Sequence, residues 1–181
     1  MNEELEVLKL VACNLKKIGV KYMISGSMAA NYYSIPRMTR DIDVVVEMAD
    51  IDIDKFAGIF EAAFYVDAEI IREEIKTNGM FNIIHKKYFI KIDFIIRKNA
   101  EFNETEFSRR KSVVIDSTPV SIVSAEDLIL AKLIWAKDSH SEMQIKDVAN
   151  LIRCVDGLHA DYIQKWVKTL GLEKLYEEAA Q

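Results

Sequence analysis

A chain of 181 residues, half of them hydrophobic, suits one domain or one domain with a small appendage, and it buries a sizeable core. A formal net charge of −5 argues against a whole-surface nucleic-acid binder, which is usually basic, and leaves room for a local basic patch. No apolar run approaches the roughly 20 residues that span a bilayer, and the start Met1-Asn2-Glu3-Glu4 lacks a basic signal region, so a soluble cytoplasmic protein is expected.

The apolar positions Leu5, Leu8, Val11, Ala12, Leu15 and Ile18 predict a helix over 3–18, with glutamates early, lysines late and Gly19 as its stop. Residues 20–25 read as a short buried strand. Gly26-Ser27 then opens a short helix that Pro36 ends. Residues 41–47 predict a core strand that begins with two carboxylates, Asp41 and Asp43. A helix capped by Asp52 or Asp54 is expected through Phe64, and another helical turn or two over 68–77. Asn78-Gly79 marks a turn, and the Ile-, Phe- and Tyr-rich runs 80–85 and 88–97, joined at Lys86-Lys87, predict an antiparallel hairpin.

A short charged helix is expected over 104–110, then strands 111–116 and 119–123. From Ser124-Ala-Glu-Asp127, a helix start, the pattern turns helical over 125–137, 143–155, 159–169 and 172–180. The expected organisation is therefore an α/β part, 1–123, followed by a helical part, 124–181, that shares its cleft. Cys13 and Cys154 read as two buried thiols, and the three histidines lack metal-ligand spacing.

Three features carry chemistry. A glycine after a strand permits a tight turn and close approach to a ligand. The following helix aims free N–H groups and its positive dipole end at that turn, so a phosphate fits at Gly26-Ser27. Asp41 and Asp43, two apart in a strand, face one side and repel unless a cation lies between them. Mg²⁺ suits such oxygen donors; the alternative is a pair of exposed acids with Asp41 paired to Arg40. Asp93, between Ile92 and Phe94 in a strand-like run, needs a partner or a metal. If its strand neighbours 41–47, three carboxylates converge, an arrangement suited to two-metal phosphoryl transfer.

Ile24-Ser-Gly26-Ser27, a spacer, Asp41-Ile-Asp43-Val and a later Asp93 together resemble the signature of the DNA polymerase β-like nucleotidyltransferase superfamily. The resemblance implies an α/β (α+β) fold, a mixed sheet flanked by helices with a C-terminal helical subdomain. It also implies transfer of a nucleoside monophosphate from a nucleoside triphosphate with Mg²⁺, or Mn²⁺ in its place. Asp41, Asp43 and Asp93 would be catalytic residues and metal ligands, Asp93 also a possible base.

Pro36-Arg37-Met-Thr39-Arg40-Asp41-Ile-Asp43 is similar to the Arg-x-Thr-x-Asp-Ile-Asp form of AbiE-type toxin-like nucleotidyltransferases and their uncharacterised relatives. Glu126-Asp127-Leu through Lys132 and Ser141-Glu142-x-Gln144-x-x-Asp147-Val148 resemble later segments of that branch. Asn150 stands where many of those toxins carry a second acid. This implies that Gly26, Ser27, Arg37, Thr39, Arg40, Lys132 and Asp147 bind the nucleotide, Lys132 reaching the triphosphate and Asp147 orienting it. The alternatives are a solvent-facing Lys132, a surface ion pair at Asp147 and plain surface charge at Arg37 and Arg40.

Tyr32 or Tyr33 stacks on a base or lies in the core. Lys86-Lys87 and Arg109-Arg110-Lys111 contact an RNA backbone or are solvated turns. The implied acceptor is RNA (a tRNA end), a protein or a small molecule. The implied partner, for a toxin, is an antitoxin. A nucleotide-binding module without turnover remains the alternative function.

Overall fold

The computed structural model describes residues 3–181. Seven strands form one mixed sheet in the order β3-β4-β5-β2-β1-β7-β6. They are β1 (Lys21–Ile24), β2 (Asp41–Glu47), β3 (Phe64–Tyr65), β4 (Met80–His85), β5 (Lys91–Ile96), β6 (Lys111–Ile115) and β7 (Thr118–Ile122). β2 runs parallel to β5 and antiparallel to β1; β4 runs antiparallel to β5. The helices are α1 (Glu3–Ile18), α2 (Gly26–Tyr33), α3 (Ile53–Phe60), α4 (Ala68–Thr77), α5 (Glu101–Ser108), α6 (Ala125–Ser139), α7 (Glu142–Cys154), α8 (Ala160–Leu170) and α9 (Glu173–Ala179). The expected fold class is the one observed.

Period-two alternation in β2 assigns its side chains to two faces. Ile42, Val44 and Val46 are fully buried on the back, while Asp41, Asp43 and Glu47 stand on the front. The back is an aromatic core. Phe56 and Phe60 of α3, 4.4 Å apart, meet Phe81 of β4 and Phe94 of β5 at ring-centroid distances of 5.1–6.0 Å. α1 lies beside α3, and α4 beside α3 and β4, completing that layer. On the front, α2 and α6 pack together over the β2–β1 side, and α7, α8 and α9 pack around α6. One hydrophobic cluster takes in residues from both the α/β part and the helical tail.

Several local expectations need correction. Phe64 does not end α3; the helix stops at Phe60 and Phe64 opens a two-residue edge strand, paired to His85. The partner strand, invisible in a local window, supplies the reason. β5 starts at Lys91, not Tyr88, because the hairpin turn extends through Phe89 in a left-handed conformation, φ 54°. Asp52 makes no side-chain cap to α3 and instead accepts from Ala49 N–H within a 3-10 turn, Asp50–Asp52. Both cysteines are exposed. Cys13 falls between Val11 and Leu15 on α1 but off the stripe those residues bury, and Cys154 is the last residue of α7. Among the described residues no helix is long and apolar enough to cross a membrane.

Candidate active site

The front face is built at the seam between β2 and β5. Their parallel register sets Asp41 beside Lys91 and Asp43 directly beside Asp93. Neighbouring strands lie about 4.8 Å apart, so Asp43 and Asp93 are adjacent like charges on one face. Asp93 is 6% exposed, and its Oδ1 is buried with no hydrogen-bond partner. Its Oδ2 lies 2.7 Å from Lys91 Nζ. Burial, then the charge of Asp93, pushes the Asp43 carboxyl above the ordinary range, against the pull of Lys132 and a hydrogen bond from the Ser27 N–H.

The turn after β1 is shaped to that carboxylate. Ser25 N–H donates to Asp43 O at 2.9 Å. Gly26 sits at φ 59°, and a Cβ there would overlap the Asp43 carboxylate. The close approach and the positive φ both require glycine. α2 begins at Gly26, so its free N–H groups open beside Asp43.

A second group of side chains closes around the same turn. Arg37 donates from Nε to Asp147 Oδ1 and from Nη2 to Asp147 Oδ2, each at 3.1 Å, and from Nη2 to Ser27 Oγ at 2.6 Å. Lys132, 4% exposed, donates to Asp147 Oδ2 at 2.8 Å and Gln144 Oε1 at 2.9 Å. Burial lowers the Lys132 ammonium from its ordinary range, with Asp147 opposing that pull. Burial works to raise Asp147, but the hydrogen bonds from Arg37 and Lys132 prevail and hold it low. Ser25, Gly26, Ser27, Asp43, Lys132 and Gln144 line a cleft of about 110 Å³ whose apolar wall includes Ile95, Leu128 and Trp135.

Lys132 and Asp147 are thus a buried pair, neither a solvent-facing lysine nor a surface bridge. Thr39 only touches the Asp41 carbonyl, at 3.3 Å, and Arg40 is exposed with no ion-pair partner among the described residues. Asp41 is exposed at the start of its strand, so the three carboxylates share a face without closing into a cluster. Among the described residues, no three His, Cys, Asp or Glu side chains are drawn together closely enough to hold a metal. Tyr33 is half-buried and anchored to Val123 O at 2.8 Å, whereas Tyr32 is exposed.

Sequence reasoning missed Lys91, Gln144 and Trp135 as neighbours of the site. Lys91 was signalled by its position two before Asp93 in a strand; Trp135 lies three after Lys132 on a helix, hence on a neighbouring surface. Also missed was a buried polar knot at the start of α6. Asp127, fully buried, accepts from Arg109 Nε at 2.9 Å, from Ser124 Oγ at 2.5 Å and from the Tyr162 hydroxyl. Arg109 therefore belongs to the packing of α5 and α6 and not to a solvated basic turn.

No family model and no curated protein sequence matches the chain. Solved structures do. An antigenic nucleotidyltransferase-like protein from Paracoccidioides brasiliensis superposes with a TM-score of 0.60 at 16% identity, over 99% of this chain and 93% of that one. The antibiotic-resistance factor ANT(2'')-Ia gives 0.56 at 15% identity, over 98% and 90%. The lincosamide antibiotic adenylyltransferase LnuA, solved with lincomycin bound, gives 0.55 at 11% identity, over 86% and 98%. At these identities the likeness is one of fold.

Proposed function

We propose that the protein is a divalent-metal-dependent nucleotidyltransferase that moves a nucleoside monophosphate from a nucleoside triphosphate to an acceptor. The observation that carries this reading is the Asp43–Asp93 pair: adjacent carboxylates against the Gly26 turn, one with a buried oxygen that has no partner. Such a pair is costly unless a cation lies between its members. The donor set, all carboxylate oxygen, fits Mg²⁺ or Mn²⁺. Asp43 and Asp93 would hold it, with Asp41 alongside, and when bound it supplies charge neutralisation at the phosphates.

The chain's own residues divide the remaining work. The first N–H groups of α2 and the Ser27 hydroxyl bind phosphate oxygens at the cleft floor. Lys132 places a positive charge on the triphosphate side, and Asp147 holds both Lys132 and Arg37 at fixed positions. The acceptor oxygen bonds to the α-phosphorus as the bond to the pyrophosphate oxygen breaks. The acceptor proton passes to the Asp93 carboxylate. In this division 1–123 brings the carboxylates and the turn, and 124–181 brings Lys132 and Asp147.

The direct test is incubation with each labelled nucleoside triphosphate, Mg²⁺ or Mn²⁺, and pools of RNA, protein and small acceptors. One pool acquires label, and Asp43→Asn reduces transfer by at least about 100-fold with an unchanged melting temperature. Absence of label in every pool removes the enzyme reading. A toxin of the AbiE type, held in check in the cytoplasm by an antitoxin, is the cellular role this chemistry suits. Expression should then arrest growth in a manner that Asp43→Asn relieves.

One observation favours a second reading, a nucleotide-binding module without turnover. Asp147 already pairs with both Arg37 and Lys132, and Lys91 already pairs with Asp93. Nucleotide affinity measured by calorimetry decides between them: equal binding in EDTA and in Mg²⁺ supports the module.

A further inference from the structure

Asp93 divides its two oxygens. Oδ1 is buried and has no hydrogen-bond partner, while Oδ2 lies 2.7 Å from Lys91 Nζ. Lys91 comes two residues before Asp93 on β5, so both side chains stand on the front face. Register sets Lys91 beside Asp41 and Asp93 beside Asp43. The four residues therefore mark the corners of a patch on two neighbouring strands, about 4.8 Å across and about 6.6 Å along. Three corners are acids and the fourth is an ammonium. Among the described residues, no three acidic side chains close on a point that would hold a metal.

Two-metal phosphoryl transfer uses two divalent cations about 3.5–4 Å apart, one at the leaving oxygen and one at the attacking oxygen. We infer that Lys91 takes the second of these places, so that the site holds one divalent cation and one ammonium. The inference rests on the transferase reading above. Gly26 and Ser27 follow β1, on one side of β2, and Lys91 stands on β5, on the other. With the phosphates at the Gly26 turn, in-line displacement brings the attacking oxygen in from the β5 side. The Lys91 side chain is 40% exposed there, open to that oxygen and held to Asp93 from behind. Charge favours the same count. Asp41, Asp43 and Asp93 bring three negative charges and Lys91 one positive, a formal −2 that a single divalent ion cancels. A second ion then meets no net attraction, and an ammonium already occupies Asp93 Oδ2.

Electron paramagnetic resonance of free Mn²⁺ counts bound ions with no nucleotide present and no turnover. The parent should take up one Mn²⁺ per chain, and Asp43→Asn should abolish that uptake, which places the ion at these carboxylates. Lys91→Met removes the ammonium. Its first Mn²⁺ should bind at least about ten-fold tighter, since a unit charge about 5 Å away is worth that much to a divalent ion even in water. A net negative charge is left after that ion, so a second Mn²⁺ should follow. Lys91→Arg should return the count to one, and unchanged circular dichroism shows each variant folded. Two Mn²⁺ in the parent, or only one in Lys91→Met, overturns the inference and leaves the transferase reading standing. A parent that takes up no Mn²⁺ removes the metal on which both depend. The expected counts with no label transferred to any pool remove the transferase reading alone, and Lys91 stands as the second charge of a metal-binding site.

Discussion

The two halves of the sheet's front face differ, and the difference locates the chemistry. Over β1, Met23 is fully buried beneath the α2–α6 layer; over β3 and β4, Tyr65 and Met80 are 58% and 48% exposed. The back face shows no such contrast, since Phe81, Phe94, Val44 and Tyr22 are all buried. Back-face burial therefore stabilises the whole sheet, while the front layer covers only one half of it. Asp43 and Asp93 lie on the seam, one strand on either side of it. A carboxylate on the covered half would lack access, and one far out on the open half would lack the desolvation and fixed dipoles that make it useful.

The largest expected effect compares the two faces of one strand. Ile83 and Ile84 are consecutive in β4, the first 1% exposed on the back and the second 36% exposed on the front. Ile83→Ala should cost about 3 kcal/mol through lost burial and the cavity left behind. Ile84→Ala should cost less than about 1 kcal/mol. Urea unfolding of the two variants checks this, and similar costs would mean that the front of β4 is covered in solution. The next effect is on the seam. Gly26→Ala drives a Cβ into the Asp43 carboxylate, so transfer should fall at least about 100-fold, near 2.7 kcal/mol of barrier. Gly19→Ala is the control, because Gly19 also has positive φ, 75°, but open space around its Cα. It should carry the backbone strain, about 1 kcal/mol, and keep the activity.

Much of this architecture was legible in residue order. The Gly-Ser turn, the alternation in β2 and the apolar run around Asp93 are local signals, and each marks an element found where it was expected. That Asp43 and Asp93 share a register is not local. It depends on β2 and β5 pairing in parallel across the 43 residues that separate Glu47 from Lys91. The burial of Lys132 and Asp147 was equally hidden, because α7 must fold back on α6 before the two charges meet. Asp127 reads in sequence as an ordinary acidic residue in a helix's first turn, and only its partners Arg109, just past the end of α5, and Tyr162 of α8 show it to be buried structure. Pairing between distant segments is what periodicity cannot report.

The last expected effect is spread over pH; it lies inside the covered half and tests how dry that half is. Glu106 of α5 is 5% exposed, and burial, then the nearby charge of Asp127, raises its carboxyl from 4.5 to about 8, against a hydrogen bond from Asn103. At neutral pH it is therefore protonated in the folded chain and ionised in the unfolded one. The folded state binds the extra proton, so stability falls as pH rises. The loss begins near 4.5, runs at up to roughly 1.4 kcal/mol per pH unit, and ends once pH passes about 8. Glu106→Gln keeps the shape without the titration. Its stability should be flatter between pH 6 and 8 and should exceed the parent's at pH 8, as read by denaturant midpoints at each pH. Parallel curves for the two proteins would mean that water reaches Glu106, and that the front layer over α5 and α6 is looser than the shut face over β1 implies.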